Sequence, residues 1–141
     1  MFNSALTLTG RLSVSLNGKV VRDIDNLVVT TGKSYVASRM KDATATAMSH
    51  MAVGTGSTAA AAADTTLGSE LARIALTSTT VSANQVSYVA TFAAGTGTGA
   101  LTEAAILNAS SGGTMLCRTV YAQVNKSSSD VMTITWQITA S

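Results

Sequence analysis

The chain has 141 residues, a formal net charge of +2 and a charged fraction of only 11%, less than half the usual share of about a quarter. Its bases are scattered, which excludes the basic stripe that a nucleic-acid backbone requires, and its single cysteine, Cys117, excludes an internal disulfide, a CxxC redox pair and a cysteine zinc site. The length predicts one domain spanning residues 1–141, and an apolar share leaning on Ala and Val, with Ser and Thr supplying roughly a quarter of the chain, points toward β structure.

The opening "MFNSALTLTG" has neither the basic start nor the apolar run of a signal peptide, and no stretch is long and apolar enough to span a membrane, so a soluble protein without that export route is expected. From Leu6 the residues alternate, with Leu6, Leu8, Leu12, Val14 and Leu16 on one face and Thr7, Thr9, Arg11, Ser13 and Ser15 on the other. This strand runs into Asn17-Gly18, the pair best suited to a type I′ turn, and "KVVRDI" completes a hairpin within residues 1–25 that is expected to serve as an interface arm. A turn is predicted at Asp25-Asn26, then a short strand "LVVT". One helix is predicted over 32–42, with Thr31 as its N-cap and with Tyr35, Val36, Arg39 and Met40 on a shared face.

"MSHMAVG" reads as a strand, and "GTGST" and "GTGTGA" as mobile loops. "ARIALTS" is expected to pair with "VSYVATF" around Ser82 to Gln85. "EAAILN" and "TMLCRTVYAQV" flank a turn at Ser110 to Gly113, and the last strand sets Met132, Ile134, Trp136 and Ile138 against Thr133, Thr135, Gln137 and Thr139. Short strands at this spacing predict a mainly β fold, two antiparallel sheets packed as a β-sandwich with one short α-helix.

Chemical motifs are few. "GKS" at Gly32 to Ser34 follows a strand and opens a helix, but the earlier glycine of a phosphate loop is replaced by Leu27, and neither glycine cluster has the third glycine or the βαβ setting of a dinucleotide fingerprint. His50 is the sole histidine and has few partners for a triad or a metal cage, so a structural histidine is expected, with no catalytic residue, no cofactor and no metal. Glu103, a carboxylate in an apolar strand, must find a donor, and Arg73 or Arg118 is expected to supply it. Ala59, Ala60, Ala61, Ala62 and Ala63 form a run too short to hold a helix and are expected in a loop or single turn. Small methyl groups dock against a protein with little side-chain entropy to lose, so a contact is one reading of the run and a tolerant linker the other.

Taken in order, "NLVVTTGKSYVASRM", "MSHMAVGTGST", "DTTLGSELARIAL", "GALTEAAILN", "GGTMLCRTVYAQVNK" and "VMTITWQI" resemble a layout found in small β-sandwich structural proteins of tailed bacteriophages, over roughly residues 26 to 139. The resemblance implies a virion protein. It implies a head decoration or cement protein, made in the host cytoplasm and seated on the capsid exterior, with the major capsid protein and copies of itself, as trimers or other symmetric clusters, for partners. Nucleic acid, membrane and small-molecule substrates are not expected. A tail, neck or fibre-associated module, including one that binds a receptor, is the alternative. Under the decoration reading the interface residues expected are Asn17 and Gly18 at the hairpin tip, Gly54, Thr55 and Gly56, and the alanines 59–63.

Overall fold

Asn17 and Gly18 both adopt positive φ, 51° and 82°, which turns the chain tightly between β1 (Leu8–Leu16) and β2 (Lys19–Val28) as the Asn-Gly pair predicts. The structure is a computed structural model that describes residues 5–141. After β2 come α1 (Thr30–Lys41), β3 (His50–Gly54), β4 (Glu70–Ala75), β5 (Ser78–Ser82), β6 (Gln85–Phe92), β7 (Gly99–Leu107), β8 (Met115–Lys126) and β9 (Met132–Ala140). Among the described residues the fold is mainly β with one helix. The strands follow the order β4-β3-β7-β8-β2-β1-β9-β6-β5 in one antiparallel sheet curled into a half-barrel, not clearly divided into two layers.

The curl is made by β2. It pairs with β1 from Lys19 to Asn26, then hands its last residues to β8, Leu27 opposite Arg118 and Val28 opposite Cys117. The turn predicted at Asp25-Asn26 is therefore absent, because the strand bends between partners instead of reversing. Gly10 faces Asn26 across the ladder, and a Cβ there would lie 1.5 Å from Asn26 Oδ1. The Asn26 amide fills that space, and its Oδ1 and Nδ2 are buried without a partner.

One apolar face of the sheet lines the inside of the curl. Leu12, Val14, Phe92, Met132, Ile134 and Trp136 are fully buried there, with Met51, Val53, Leu101 and Ile106 from the other half. The alternation of the last strand is reproduced residue for residue. Val14 and Leu12 lie at the centre of the strand order, so the first hairpin is part of the sheet and not a projecting arm; residues 1–4 lie outside the described set.

Three local expectations are corrected. "ARIALTS" meets "VSYVATF" only at its end, where Thr77 and Ser78 lie against Val89: its residues up to Ala75 belong to β4 and pair with β3, and it is β5 that reverses onto β6, at Ala83-Asn84 within the turn expected at Ser82 to Gln85. Thr31 does not cap α1. Val29 occupies the N-cap with no side-chain bond, while the Thr31 hydroxyl donates to the Met115 carbonyl at 2.8 Å. The shared helical face holds only in part, since Tyr35 and Val36 pack on the core while Met40 is 80% exposed and Arg39 donates to the carbonyls of Ala43 and Ala45.

Candidate functional site

The outer face of β3, β7 and β8 is also covered. Ala52, Ala105, Leu107 and Met115 on this face pack with Val29 and with Leu67, which is brought in by the segment 55–69 between β3 and β4. A strand buried on both faces reads as a continuous apolar run, and "EAAIL" in β7 does so. Glu103 is the exception within it. Its carboxylate points to the outer face, fully buried beneath the segment that crosses above it.

Glu103 fastens that segment at both ends. Oε2 accepts from the Gly56 N–H at 2.7 Å and the Ser69 N–H at 2.7 Å, while Oε1 accepts from the Gly68 N–H at 2.8 Å and from Arg118 Nη2 at 3.0 Å. Arg118, itself 2% exposed, extends the network: Nη1 meets Asp64 Oδ2 at 2.8 Å and Nη2 donates to the Thr58 carbonyl at 3.0 Å. Asp64 Oδ2 in turn accepts from the Ala61 N–H, and the Ala62 carbonyl accepts from the Thr30 N–H where α1 begins. One guanidinium thus serves two carboxylates, and main-chain N–H groups supply the remaining donors, so each charge is paired and hydrogen-bonded, the condition under which buried ions are tolerated.

This geometry explains the glycines. A Cβ on Gly54 would come within 2.3 Å of the Ser69 carbonyl oxygen, and one on Gly56 within 2.5 Å of Glu103 Oε2. They permit the main chain to approach a carboxylate, so "GTGST" is an anchored segment and not the mobile loop expected. Gly54 is buried, which removes it from an external interface; Gly56 is half-buried and Thr55 exposed. Ala59, Ala61, Ala62 and Ala63 are exposed and Ala60 is half-buried, held out on the surface by the bonds beneath them. At the hairpin tip, Gly18 is open, but the Asn17 amide is used internally: Nδ2 donates to Asp130 Oδ1 at 2.8 Å and Oδ1 accepts from the Val131 N–H at 2.9 Å.

Of the two donors considered for Glu103, Arg118 takes the place. Arg73 instead pairs with Glu70 at 2.7 Å and ties the 109–112 turn through its carbonyls. The sequence marks neither Asp64 nor Leu67 as an anchor of this segment; its one signal is that "DTTLGSE" sets an acid, an apolar residue and a glycine close together.

Burial by itself disfavours the Glu103 anion, yet the Ser69 and Gly68 N–H groups, Arg118 and the Gly56 N–H outweigh it and hold the carboxyl below its ordinary value. A carboxyl depressed in the folded state stabilises the fold above its unfolded pKa, and that contribution disappears as pH falls through the lower folded value. Segment 55–69 is therefore expected to stay protected from protease at neutral pH and to become cleavable in acid, below the ordinary glutamate range, before the sheet unfolds. Limited proteolysis across pH with an acid-active protease, read by mass spectrometry, checks this.

Elsewhere, apart from the unpartnered Asn26 amide and Trp136 Nε1, most of the polar groups near the surface grooves bond within the chain. A groove of about 380 Å³ lined by Thr31, Ser34, Tyr35, Ser38 and Asn108 has much of its hydrogen-bonding capacity spent: Thr31 on the Met115 carbonyl, Ser38 on the Tyr35 carbonyl, Asn108 on Thr46 and Thr114. His50 Nδ1 lies 2.8 Å from the Ser49 hydroxyl. Burial pushes the Cys117 thiol well above its ordinary pKa, so it is held as a thiol and not as a nucleophilic thiolate. Among the described residues no cluster of three or more His, Cys, Asp or Glu is placed to hold a metal, and no helix is long and apolar enough to cross a membrane. Comparison of the chain with protein-family models, curated proteins and solved structures finds no match.

Proposed function

We propose that the protein is a structural component of a tailed-phage virion, a capsid decoration protein whose anchored segment 55–69 docks across shell subunits, with the two halves of its curled sheet serving as the layers of a sandwich. The observation that carries this reading is the pairing of a soft surface with a hard support. Exposed Ala59, Ala61, Ala62 and Ala63 offer methyl groups with no rotamers to freeze, while Glu103, Arg118 and Asp64 fix the main chain that presents them. Docking then costs little ordering on either count.

The mechanism is mechanical. A subunit bound across a junction must be released before the shell parts there, so its binding free energy adds to the resistance of the particle against internal pressure. Repetition over many copies compensates for a modest single contact. Copies of the chain, as trimers or other symmetric clusters, would span several junctions at once.

A double substitution, Ala61→Arg with Ala63→Arg, tests the docking surface. Both positions are exposed, so the isolated domain is expected to keep its melting temperature. Copies per purified particle, counted by quantitative mass spectrometry, are expected to drop by about tenfold or more as bulk and charge enter the contact. Unchanged occupancy would remove segment 55–69 from the contact, and a copy number of a handful per wild-type particle would move the protein from head to tail. Among the described residues, receptor recognition by aromatic stacking has little to work with, because Trp136, Phe92, Tyr88 and Tyr121 are buried and Tyr35 is half-buried against the core.

A further inference from the structure

The two edges of the sheet are built differently. At one edge, β4 carries Glu70 and Arg73 and its ladder with β3 is interrupted between Val53 and Gly54, devices that discourage a stray strand from adding on. At the other edge, β5 reads Ser-Thr-Thr-Val-Ser. All five residues are exposed, its register with β6 is unbroken, and it has no charge; the chain contains no proline. Among the described residues no strand flanks its outer side. Regular, uncharged and β-branched, this edge is a template for strand addition.

We infer that the β5 edge is a self-association surface on which a second copy of the chain pairs its own β5 antiparallel about a twofold axis at Thr80. The hydrogen-bond phase supports that occupant. β5 and β6 are joined by the two-residue turn Ala83-Asn84, so Ser82 and Thr80 face β6 with their main-chain groups and those of Thr79 and Val81 point outward, while at the start of the strand the Thr77 N–H donates to the Val89 carbonyl. An axis at Thr80 sets Thr79 of each copy against Val81 of the other, so that the outward groups meet only one another. The centre brings together the two Thr80 side chains, and the ends Ser78 and Ser82, with no like charges opposed at any pair.

The side chains agree with this phase. Thr79 and Val81 oppose Tyr88 and Val86 and so lie on the core-facing side of the sheet, where Val81 is left 70% exposed with no strand beyond it. A second copy would lay Thr79 against each Val81 and continue that face across the axis. Pairing through one short strand buries far less than the 1,200–2,000 Å² or so of a stable complex, so the contact is weak in dilute solution and becomes effective where copies are concentrated. It does not rest on the capsid proposal, because it is tested on the purified chain alone.

The test uses charge at the axis. Thr80 is exposed and lies on the side of the strand facing away from the core, so Thr80→Lys and Thr80→Glu leave the fold intact while opposing like charges in each homodimer. Sedimentation velocity at low salt over about 10 μM to 1 mM, a range suited to a weak contact, is expected to show wild type associating with concentration. Each variant alone should associate about three- to fivefold more weakly, and an equimolar mixture of the two should recover wild-type association or exceed it. Hydrogen exchange at the Thr79 and Val81 amides is expected to slow as wild-type concentration rises. A wild type that stays monomeric throughout, variants that associate like wild type, or a mixture no better than either variant would each overturn the proposal.

Discussion

Replacing Arg118 by methionine is expected to lower the unfolding free energy by about 3–5 kcal/mol, the range for breaking a buried ion pair from one side. The methionine keeps much of the volume but strands the Glu103 carboxylate, fully buried, with only main-chain donors, and leaves Asp64 without its guanidinium. Loss of the Thr58 contact frees the segment between the two points where Glu103 still holds it. Urea unfolding should therefore show a lower midpoint, and hydrogen exchange should show Thr58 to Asp64 opening more readily than β7. Adding Glu103→Gln to Arg118→Met should cost less than the sum of the single effects, because the carboxylate that the first change strands is then neutral. A loss under about 1 kcal/mol for Arg118→Met would assign the pair the worth of a surface salt bridge and remove the rigid support from the proposed docking surface.

How much of this was legible depends on whether a signal was local. β9 could be read outright, because a half-buried strand writes its two faces in alternate residues, and the Asn17-Gly18 turn could be read because left-handed backbone favours those residues. That Glu103 needs a donor follows from burial alone. Which donor it takes depends on register: Ala105 opposes Arg118 and Ala104 opposes Thr119, an alignment that sets Arg118 diagonally across from Glu103 on the outer face. A ladder register carried by partners fifteen residues apart leaves no local trace.

The misplaced turn at Asp25-Asn26 has a similar origin. Asp and Asn favour turns, and here a strand changing partners at that point carries the same residues for another reason, since Asn26 has to fit over the bare Gly10. Likewise "ARIALTS" and "STTVS" are equally plausible partners for β6 by composition. The closeness of β5 to β6 through a two-residue turn decides between them, and β4 is then free to cross to β3. The segment 55–69 was the hardest to read. Its glycines look like flexibility, and only the buried carboxylate beneath them shows that they serve close approach.

Gly32→Ala is expected to destabilise the protein by about 3 kcal/mol, at the upper end of the usual cost of overpacking, although helix propensity taken alone predicts a gain of about 1 kcal/mol. The two effects have opposite signs, so the measurement is decisive. Gly32 is buried where α1 crosses β8, and a Cβ there would lie 2.1 Å from the Leu116 carbonyl oxygen and 2.8 Å from its carbonyl carbon. Those are main-chain atoms that cannot rotate aside, so the helix must lift from the sheet. Lifting it strains the bond from the Val29 N–H to that same carbonyl and the bond from the Thr31 hydroxyl to Met115. The glycine of "GKS" thus has a packing duty that owes nothing to phosphate, and the fall in melting temperature should be the same with or without added nucleotide. Lys33 is exposed, and Lys33→Ala should leave stability within about 0.5 kcal/mol of wild type. A rise in melting temperature for Gly32→Ala would place α1 farther from β8 than the close crossing requires, and with it the Thr30 N–H that holds the Ala62 carbonyl.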